Sequence, residues 1–347
     1  MDSKIKKLLI IGSTLGPYGG MEAFMITLAE AAAQWPEFDV KLCFKMVKGH
    51  EPAKDLIEQA NAVCSHVYFV QSSSLELLKL IKWADVLHVQ NTPPDVIFTA
   101  RLLGKKIFLT VHNWRRRTAS LHTTLWGLAV RMANRRWFNS RFVWDTWEPG
   151  QKSPLSDSFP TVSKLPEGWY PPEQRRGFLF IGRWIPGKGL EEIVRAYARN
   201  NFDAHAVPLT LLGNGPLKEP ILALIKELGL PSVKLPGFVD VATKERLLAS
   251  TRWLLAPANT KEDLGLTPIE ARNVSVPSIV TRDGGLPEAG GPAALVAEPG
   301  DVADLARCMR LAADMGDQEY RERSELAKAS LADYLRPLSF YRAAYNG

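Results

Sequence analysis

The sequence has few cysteines and lacks any long hydrophobic stretch. Its 347 residues include only three cysteines, Cys43, Cys64 and Cys308, whose odd number and wide spacing fit neither a zinc site nor a redox pair. We therefore expect the protein to work in a reducing, cytoplasmic setting. A membrane-spanning helix needs about 20 consecutive apolar residues. The sequence contains no such stretch, so we do not expect the chain to cross a bilayer.

A strong charge of either sign is also lacking. Lysine and arginine number 43, aspartate and glutamate number 37, and the net charge is +6, which is too small by itself to indicate a nucleic-acid partner. No Asp-x-Asp segment occurs, and the six histidines show no metal-ligand spacing. We therefore expect no bound metal, no cofactor and no nucleic acid.

Short apolar runs alternate with segments of helical periodicity, which is typical of parallel sheets covered by helices. The apolar runs predict strands at Lys7–Ile11, Val40–Phe44, His66–Val70, Asp85–Val89, Ile107–Val111, Phe178–Ile181, Leu209–Leu212, Val233–Leu235, Trp253–Ala256, Ser278–Val280 and Ala294–Val296. The periodic segments predict helices at Met21–Gln34, Leu75–Lys82, Leu190–Arg199, Leu217–Leu228, Lys244–Ser250, Val302–Ala313 and Leu331–Asn346.

The length and one irregular segment predict the domain organisation. A chain of 347 residues exceeds the ~250–300 residues that one hydrophobic core supports, so we expect two Rossmann-like, doubly wound α/β domains facing a cleft. Residues 165–177 are rich in proline and glycine and are the best candidate for a linker. We expect domains at 1–168 and 169–330, and a C-terminal helix at 331–347 that can pack back on the N-terminal domain.

Three predicted strands lead into glycine-containing loops, which are GSTLGPYGGME, GRWIPGKG and GNGP. A strand, a glycine turn and a helix N-terminus form an anion site, because free N–H groups converge there. Together the loops favour a ligand that carries phosphates, although tight turns explain any single loop equally well. In the second loop, Arg183 and Lys188 either neutralise a diphosphate or are solvated cations.

Two other phosphate-binding motifs fit less well. The dinucleotide fingerprint G-x-G-x-x-G would start at Gly213, but Lys218 occupies the position of its third glycine, so we reject a nicotinamide site. Residues 182–188 match the P-loop pattern G-x-x-x-x-G-K. Gly189 follows where that motif requires Ser or Thr for magnesium, so a Walker-type NTPase is not expected.

Glu262 and Glu270 lie in the segment APANTKEDLGLTPIEARN. The sequence Thr267-Pro268 predicts a helix start with Thr267 as the N-cap and Glu270 three residues later. In one interpretation, loop amides hold phosphates and the two glutamates accept hydrogen bonds from sugar and ribose hydroxyls. The alternative for Glu270 is a capping box alone, and the motif does not decide between them.

The motifs GGME, GRWIPGKG, GNGP, the two glutamates with seven residues between them, and the later GGLPE resemble retaining glycosyltransferases of family four (glycosyl transferases group 1, GT-B fold). The resemblance extends from about Gly12 to Leu305. It implies metal-independent transfer of a sugar, with retention, from a nucleotide-diphosphate sugar to a hydroxyl of a glycan or lipid-linked acceptor. The alternatives are a GT-B-type sugar-nucleotide epimerase and a catalytically inactive nucleotide-sugar-binding module.

The resemblance also implies roles for individual residues. Arg183 and Lys188 would bind the diphosphate, and Glu262 the sugar hydroxyls. His112 would contact the donor sugar, and its alternative is a core histidine at a strand end. These four would be the catalytic residues, and Glu270 would bind the ribose. The remaining donor contacts would be Gly19, Gly20, Gly213, Gly215, Gly265, Leu266 and Thr267.

Residues 113–147 are basic and rich in tryptophan. They contain seven arginines, five tryptophans and one acidic residue, Asp145, so their net charge of +6 equals that of the whole chain. Arginine beside interfacial tryptophan suits an anionic membrane surface or a lipid-diphosphate acceptor. This would place the protein peripherally on the inner membrane face, with Arg115, Arg116 and Arg117 as contacts. A solvated helix with partly buried tryptophans is the alternative.

Overall fold

The computed structural model describes residues 5–91, 93–116 and 120–347. The chain forms two compact units. Unit 1 comprises Met1–Lys164 together with Leu335–Gly347, and unit 2 comprises Leu165–Tyr334. Unit 2 is therefore one continuous stretch of chain, whereas unit 1 is assembled from two separate stretches.

Unit 1 alternates strands and helices. Their order is β1 (Lys6–Thr14), α1 (Gly20–Ala32), β2 (Phe38–Met46), α2 (Lys54–Val63), β3 (Val67–Gln71), α3 (Leu75–Trp83), β4 (Val86–Gln90), α4 (Pro94–Leu102), β5 (Lys106–Val111), α5 (Leu121–Met132), β6 (Arg135–Phe138), α6 (Arg141–Trp147) and β7 (Ser156–Ser158). Within the described residues these strands form one parallel sheet of seven, in the order β3-β2-β1-β4-β5-β6-β7.

Unit 2 repeats the same scheme. Its elements are β8 (Arg176–Ile181), α7 (Leu190–Asn200), β9 (Leu209–Leu212), α8 (Lys218–Glu227), β10 (Lys234–Gly237), α9 (Val241–Ser250), β11 (Thr251–Ala256), α10 (Leu266–Asn273), β12 (Ser278–Thr281), α11 (Leu286–Gly290), β13 (Leu295–Ala297), α12 (Val302–Asp314) and α13 (Asp317–Tyr334). The strands described for this unit form a parallel sheet of six, ordered β10-β9-β8-β11-β12-β13.

Both sheets reverse their strand order once, between β1 and β4 in unit 1 and between β8 and β11 in unit 2. This is the doubly wound, Rossmann-like arrangement, so the predicted fold class of two parallel α/β domains is confirmed. Sheets of this kind bind ligands outside the carboxyl ends of the strands, at the point of reversal. The loops after β8 and β11 therefore lie where a ligand of unit 2 is expected.

The central strands were predictable because they are buried on both faces. Leu8 and Ile10 of β1 pack into one core cluster of unit 1, while Leu9 and Ile11 pack into another. A strand covered on both faces has a continuous apolar run, which the sequence displays. The short strands β6 and β7 were not predicted, because β6 begins with two arginines and β7 is the polar tripeptide Ser156–Ser158.

The C-terminal segment differs from the single helix predicted at 331–347. Helix α13 continues to Tyr334, and α14 (Leu338–Asn346) begins only after Pro337, which is its N-cap residue. Proline disfavours a helical conformation in the residue before it, so the helix breaks there. In unit 1, Tyr345 of α14 places its hydroxyl 2.6 Å from Nδ1 of the buried His88, so this helix completes the core of the unit.

Candidate functional site

Six of the predicted donor residues lie in three loops of unit 2, and a fourth loop adjoins them. Residues 182–189 connect β8 to α7, residues 213–217 follow β9, residues 257–265 connect β11 to α10, and residues 282–285 connect β12 to α11. The carboxyl ends of parallel strands lie at one edge of the sheet, so the four loops share that edge.

The loop after β8 lies against the loop after β11, and two glycines permit this contact. Gly187 and Gly189 have positive φ angles of 85° and 80°. A Cβ atom at Gly187 would overlap Cγ2 of Thr260, and one at Gly189 would overlap the carbonyl oxygen of Pro257. Lys188 stands between these two glycines, so the close approach fixes its backbone beside the 257–265 loop.

Lys188 and Glu262 form an ion pair between these two loops, through Lys188 Nζ and Glu262 Oε1, with side chains 24% and 22% exposed. The backbone of Glu262 is also fixed. Its N–H donates to Asp283 Oδ2 over 3.1 Å, and its carbonyl accepts from the N–H of Gly285 over 2.8 Å. The structure therefore brings together two of the residues expected to be catalytic, and it adds Asp283 as a support that the sequence did not reveal.

Helix α10, which carries Glu270, starts earlier than predicted. It begins at Leu266, and its N-cap is Gly265 with φ of 96°, so the prediction of Thr267 as the N-cap is wrong. Glycine adopts this left-handed conformation without steric cost, and Thr267 becomes the second residue of the helix. The first N–H groups of a helix, here including those of Leu266 and Thr267, have no acceptor within the helix. Such an end favours anions.

Glu270 contacts a lysine instead of closing the predicted capping box. Because the helix starts at Leu266, Glu270 stands too far along it to be the partner of the N-cap. Its Oε1 lies 3.2 Å from Nζ of Lys244, and the two side chains are 19% and 29% exposed. Sequence reasoning missed Lys244, because one lysine on the amphipathic helix α9 carries no motif.

Arg183 and the 213–217 loop are arranged differently. The side chain of Arg183 is exposed, and within the described ranges it has no ion pair.

The two glycines of the 213–217 loop are closely packed. A Cβ at Gly213 would overlap the carbonyl oxygen of Gly182, and one at Gly215 would overlap that of Trp184. The N–H of Gly213 donates to the carbonyl of Gly237 over 3.1 Å, and the N–H of Gly215 donates to Oδ1 of Asn214 over 2.8 Å. Close packing is therefore sufficient to explain both glycines.

Three of the predicted contacts lie in unit 1, and two of them, Gly19 and Gly20, are found where the loop after β1 enters α1. Gly19 is the N-cap residue of α1 in an extended conformation, and Gly20 is the first residue of the helix. A Cβ at Gly19 would lie 3.0 Å from Oε2 of Glu22, and the Glu22 side chain is itself buried. Gly19 and Gly20 thus form the N-terminus of α1, next to the buried carboxylate of Glu22.

His112 follows β5 in unit 1, and both nitrogens of its buried ring have partners. Nε2 lies 2.8 Å from Oε1 of Gln90, and Nδ1 lies 3.3 Å from Oγ1 of Thr161. Burial lowers the pKa of His112 to about 4, so the ring is neutral at pH 7. The structure places this histidine at the carboxyl edge of the sheet as expected, with the hydrogen bonds of a core histidine.

The tryptophans of residues 113–147 contribute mainly to the core of unit 1. Trp137 and Trp147 are buried, while Trp114, Trp126 and Trp144 pack partly buried against the same core as Trp147. Among the described side chains of this segment, the exposed large apolar ones are instead three leucines of α5: Leu121, Leu125 and Leu128. Their spacing of four and three residues places them on one helix face.

Arginines adjoin this leucine face. Arg115 donates from Nη2 to the carbonyl of Thr123 in α5 over 3.5 Å, and the exposed Arg116 lies 5.8 Å from the centre of the Trp114 ring. Arg117 lies outside the described residues. Exposed Arg131 follows Leu128 by one turn on the same helix. Of the helices in the described ranges, none combines the length and apolar character required to cross a bilayer.

Sequence and fold comparisons relate this chain to glycosyltransferases. Residues 163–329 match the profile of the family described as glycosyl transferases group 1, a segment that contains every predicted donor residue of unit 2. HepE from Anabaena, solved in complex with UDP, superimposes with a TM-score of 0.80 over 98% of both chains at 16% identity. The chain therefore has the two-domain GT-B fold of glycosyltransferases.

Two relatives are each similar over slightly less than half of the chain. N-acetyl-alpha-D-glucosaminyl L-malate synthase of Bacillus anthracis is 29% identical over 167 residues, which are 47% of this chain and 42% of the relative. The O-antigen chain mannosyltransferase B of Escherichia coli is 27% identical over 171 residues, or 48% of this chain and 42% of the relative. The similarity thus spans less than half the length of either relative.

Proposed function

We propose that the chain is a retaining glycosyltransferase that moves a sugar from a nucleotide-diphosphate sugar to a hydroxyl group of a glycan or lipid-linked acceptor. The observation that carries the proposal is the Lys188–Glu262 ion pair beside the N-terminal end of α10. A cation, a carboxylate and free helix N–H groups at one sheet edge suit a ligand that has both phosphates and sugar hydroxyls. The UDP in HepE supports the same donor class, and the name of the mannosyltransferase relative supports sugar transfer.

Donor binding would exchange the partners of the ion pair. The diphosphate attracts Lys188 and the exposed Arg183, and this releases Glu262 to accept hydrogen bonds from sugar hydroxyls. The N–H groups of Leu266 and Thr267 offer the diphosphate a second set of donors. These cations and amides meet the phosphate charge without a metal ion, so we expect transfer to be metal-independent.

The chemistry of the transfer follows from this charge arrangement. The bond between the anomeric carbon and the phosphate oxygen breaks, and the nucleoside diphosphate leaves with the electron pair. Arg183, Lys188 and the amides stabilise the charge that develops on that oxygen, which is the electrostatic preorganisation on which enzymes depend. The acceptor hydroxyl attacks from the same face and gives its proton to the departing phosphate, so configuration is retained.

A thermal-shift panel tests the donor class first. UDP, GDP and ADP are each added with and without EDTA, and NAD and magnesium-ATP are included as competitors. A ligand at about 100 times its dissociation constant adds about 2.7 kcal/mol to the free energy of unfolding, enough for a shift of several degrees. A shift with one diphosphate that EDTA leaves unchanged supports the proposal. A shift with NAD or magnesium-ATP alone overturns it.

Product analysis separates transfer from the two alternatives. The matching nucleotide sugars are incubated with glycan and lipid-linked acceptors, and the anomeric configuration of the product is determined by NMR. A new glycoside with the configuration of the donor supports a retaining transferase. An epimerised sugar nucleotide formed without an acceptor indicates an epimerase. Donor binding without any turnover indicates an inactive binding module.

For the acceptor side, we propose that unit 1 meets an anionic membrane surface through the leucine face of α5. Leu121, Leu125 and Leu128 would enter the interface between headgroups and acyl chains, while Arg116 and Arg131 would contact anionic headgroups. We accordingly propose a cytoplasmic enzyme that binds peripherally at the inner membrane face and acts in polysaccharide or glycolipid biosynthesis. Arginines attract anionic lipid and exposed leucines bury apolar area, so both should contribute to binding.

Liposome sedimentation tests the membrane contact. Wild-type protein should bind vesicles with anionic lipid, release them in high salt, and bind neutral vesicles weakly. The variant L121S/L125S/L128S should lose binding, and the matched control L222S, which alters an exposed leucine of unit 2, should retain it. Equal binding by both variants, or no binding by wild type, would refute the proposed membrane contact. Helix α5 would then be a solvated helix.

A further inference from the structure

Lys244 and Glu270 form a second ion pair in unit 2. It joins α9 to α10 with a distance of 3.2 Å between Nζ and Oε1, and both side chains are more than two-thirds buried. The two residues are 26 positions apart. The same unit therefore presents two lysine–glutamate pairs, and in each the glutamate belongs to the segment 257–270.

Both helices of this second pair are held in place independently of it. Asp240 caps α9, because its side chain accepts from the N–H of Thr243 over 2.8 Å. The start of α10 is fixed by Gly265, where a Cβ would lie 2.6 Å from the side chain of Leu286. Leu248 of α9 and Ala271 of α10 share one buried cluster. Lys244 is thus a fixed neighbour of Glu270, and the pair is not required to join the helices.

The contact occupies only one oxygen of the Glu270 carboxylate. A carboxylate can accept hydrogen bonds at both oxygens. A lysine bound to Oε1 fixes the rotation of the group and leaves Oε2 to accept from a ligand. A ribose offers two adjacent hydroxyls, and a hydrogen bond to an oriented, ionised acceptor is stronger than one to a neutral group.

The geometry points to Lys244 as a positioning residue that orients Glu270 toward the ribose hydroxyls of the bound nucleotide. This inference deepens the proposed function and rests on it. Because Lys244 Nζ is paired with Glu270, we assign it no contact with the phosphates. Its removal therefore affects nucleotides that have ribose hydroxyls and spares those that lack them, which a general loss of positive charge would not do.

Calorimetric titration of wild type and K244M tests the inference. The probes are UDP, GDP and ADP, each beside its 2′,3′-dideoxy form. We expect K244M to raise the dissociation constant of the best ribonucleotide by about tenfold, which corresponds to about 1.4 kcal/mol. The dissociation constant of its dideoxy form should stay within about twofold. K244R should restore most of the affinity, and K226M, on an exposed lysine of α8, is the matched control.

A second variant makes the test independent of folding. In an E270Q background, the additional K244M change should have no further effect, because Lys244 acts through Glu270. Equal weakening of the ribonucleotide and the dideoxynucleotide overturns the inference, and so does an unchanged ribonucleotide affinity. A wild-type protein that binds none of the three diphosphates refutes the proposed function itself, which is a distinguishable result.

Discussion

Replacing Gly187 by alanine tests the close contact that holds Lys188 beside the 257–265 loop. The residue has φ of 85°, and a left-handed conformation costs a residue with a Cβ about 1–2 kcal/mol. The added Cβ would also overlap Cγ2 of Thr260, and overpacking of this kind costs about 1–3 kcal/mol. We therefore expect G187A to lower the free energy of unfolding of unit 2 by about 3 kcal/mol.

Two further variants separate these contributions. T260S removes the overlapping methyl group, so G187A/T260S should recover the steric part and retain the conformational part. Gly229 has φ of 65° with no atom within 4 Å of a Cβ placed on it. G229A should accordingly show only the conformational cost of about 1 kcal/mol. The difference between G187A and G229A isolates the contact with Thr260.

Differential scanning calorimetry of the whole chain measures the effect. For a unit of this size, 1 kcal/mol shifts the midpoint by about 2–4 °C, so G187A should lower the midpoint of unit 2 by about 6–12 °C. G187A/T260S should lie between G187A and wild type. If the midpoint of G187A lies within 1 °C of wild type, or no lower than that of G229A, the inferred close contact between Gly187 and Thr260 is refuted.

Three other predictions concern sugar transfer and the core of unit 1. R183A and E262A should each reduce sugar transfer at least about 100-fold with an unchanged circular dichroism spectrum, and a wild-type rate in either would refute its role. Burial lowers the pKa of His112 to about 4 and, with the charge of His112, that of His88 to about 3. The unfolded chain therefore takes up protons between about pH 6.5 and 4 that the native state does not. As the pH falls through this range, the free energy of unfolding of unit 1 should decrease by up to about 1.4 kcal/mol per pH unit for each histidine. Calorimetry from pH 7 to 5 checks this, and a constant midpoint contradicts it. Y345F removes the hydroxyl beside His88 and should lower the free energy of unfolding by about 1–3 kcal/mol. Calorimetry would detect this as a lower midpoint. A variant as stable as wild type would show that this contact does not stabilise unit 1.

The sequence predicted the elements whose signal is local. Strands such as β1 and β9 are buried apolar runs, so their positions followed from composition alone. The start of α10 was wrong because Thr267-Pro268 has the pattern of a helix start, whereas the left-handed conformation of Gly265 starts the helix earlier. Leu286 also leaves no room for a Cβ at residue 265, and this contact lies outside any local window.

The site was predictable as a set of residues and not as a set of contacts. Lys188 and Glu262 were both identified, but their pairing depends on two loops that meet at the sheet edge. Lys244 carries no motif, and Asp283 begins the glycine turn that contains GGLPE but had no predicted contact. Both gain a role only because α9 and the end of β12 adjoin the segment 262–270. Pairings of this kind arise from topology, since the two partners lie 21 to 74 positions apart.

The division of unit 1 between two stretches of chain has a consequence for biosynthesis. Helix α14 supplies Tyr341 and Tyr345, whose rings pack against Trp35, Phe38 and Trp137. The ribosome produces residues 165–334 before it produces this helix, which takes roughly 10–30 s at about 5–20 residues per second. During that interval unit 2 can fold, while unit 1 still exposes an aromatic surface. Until α14 has been synthesised, this aromatic surface of the nascent first unit is therefore open to aggregation or to a chaperone.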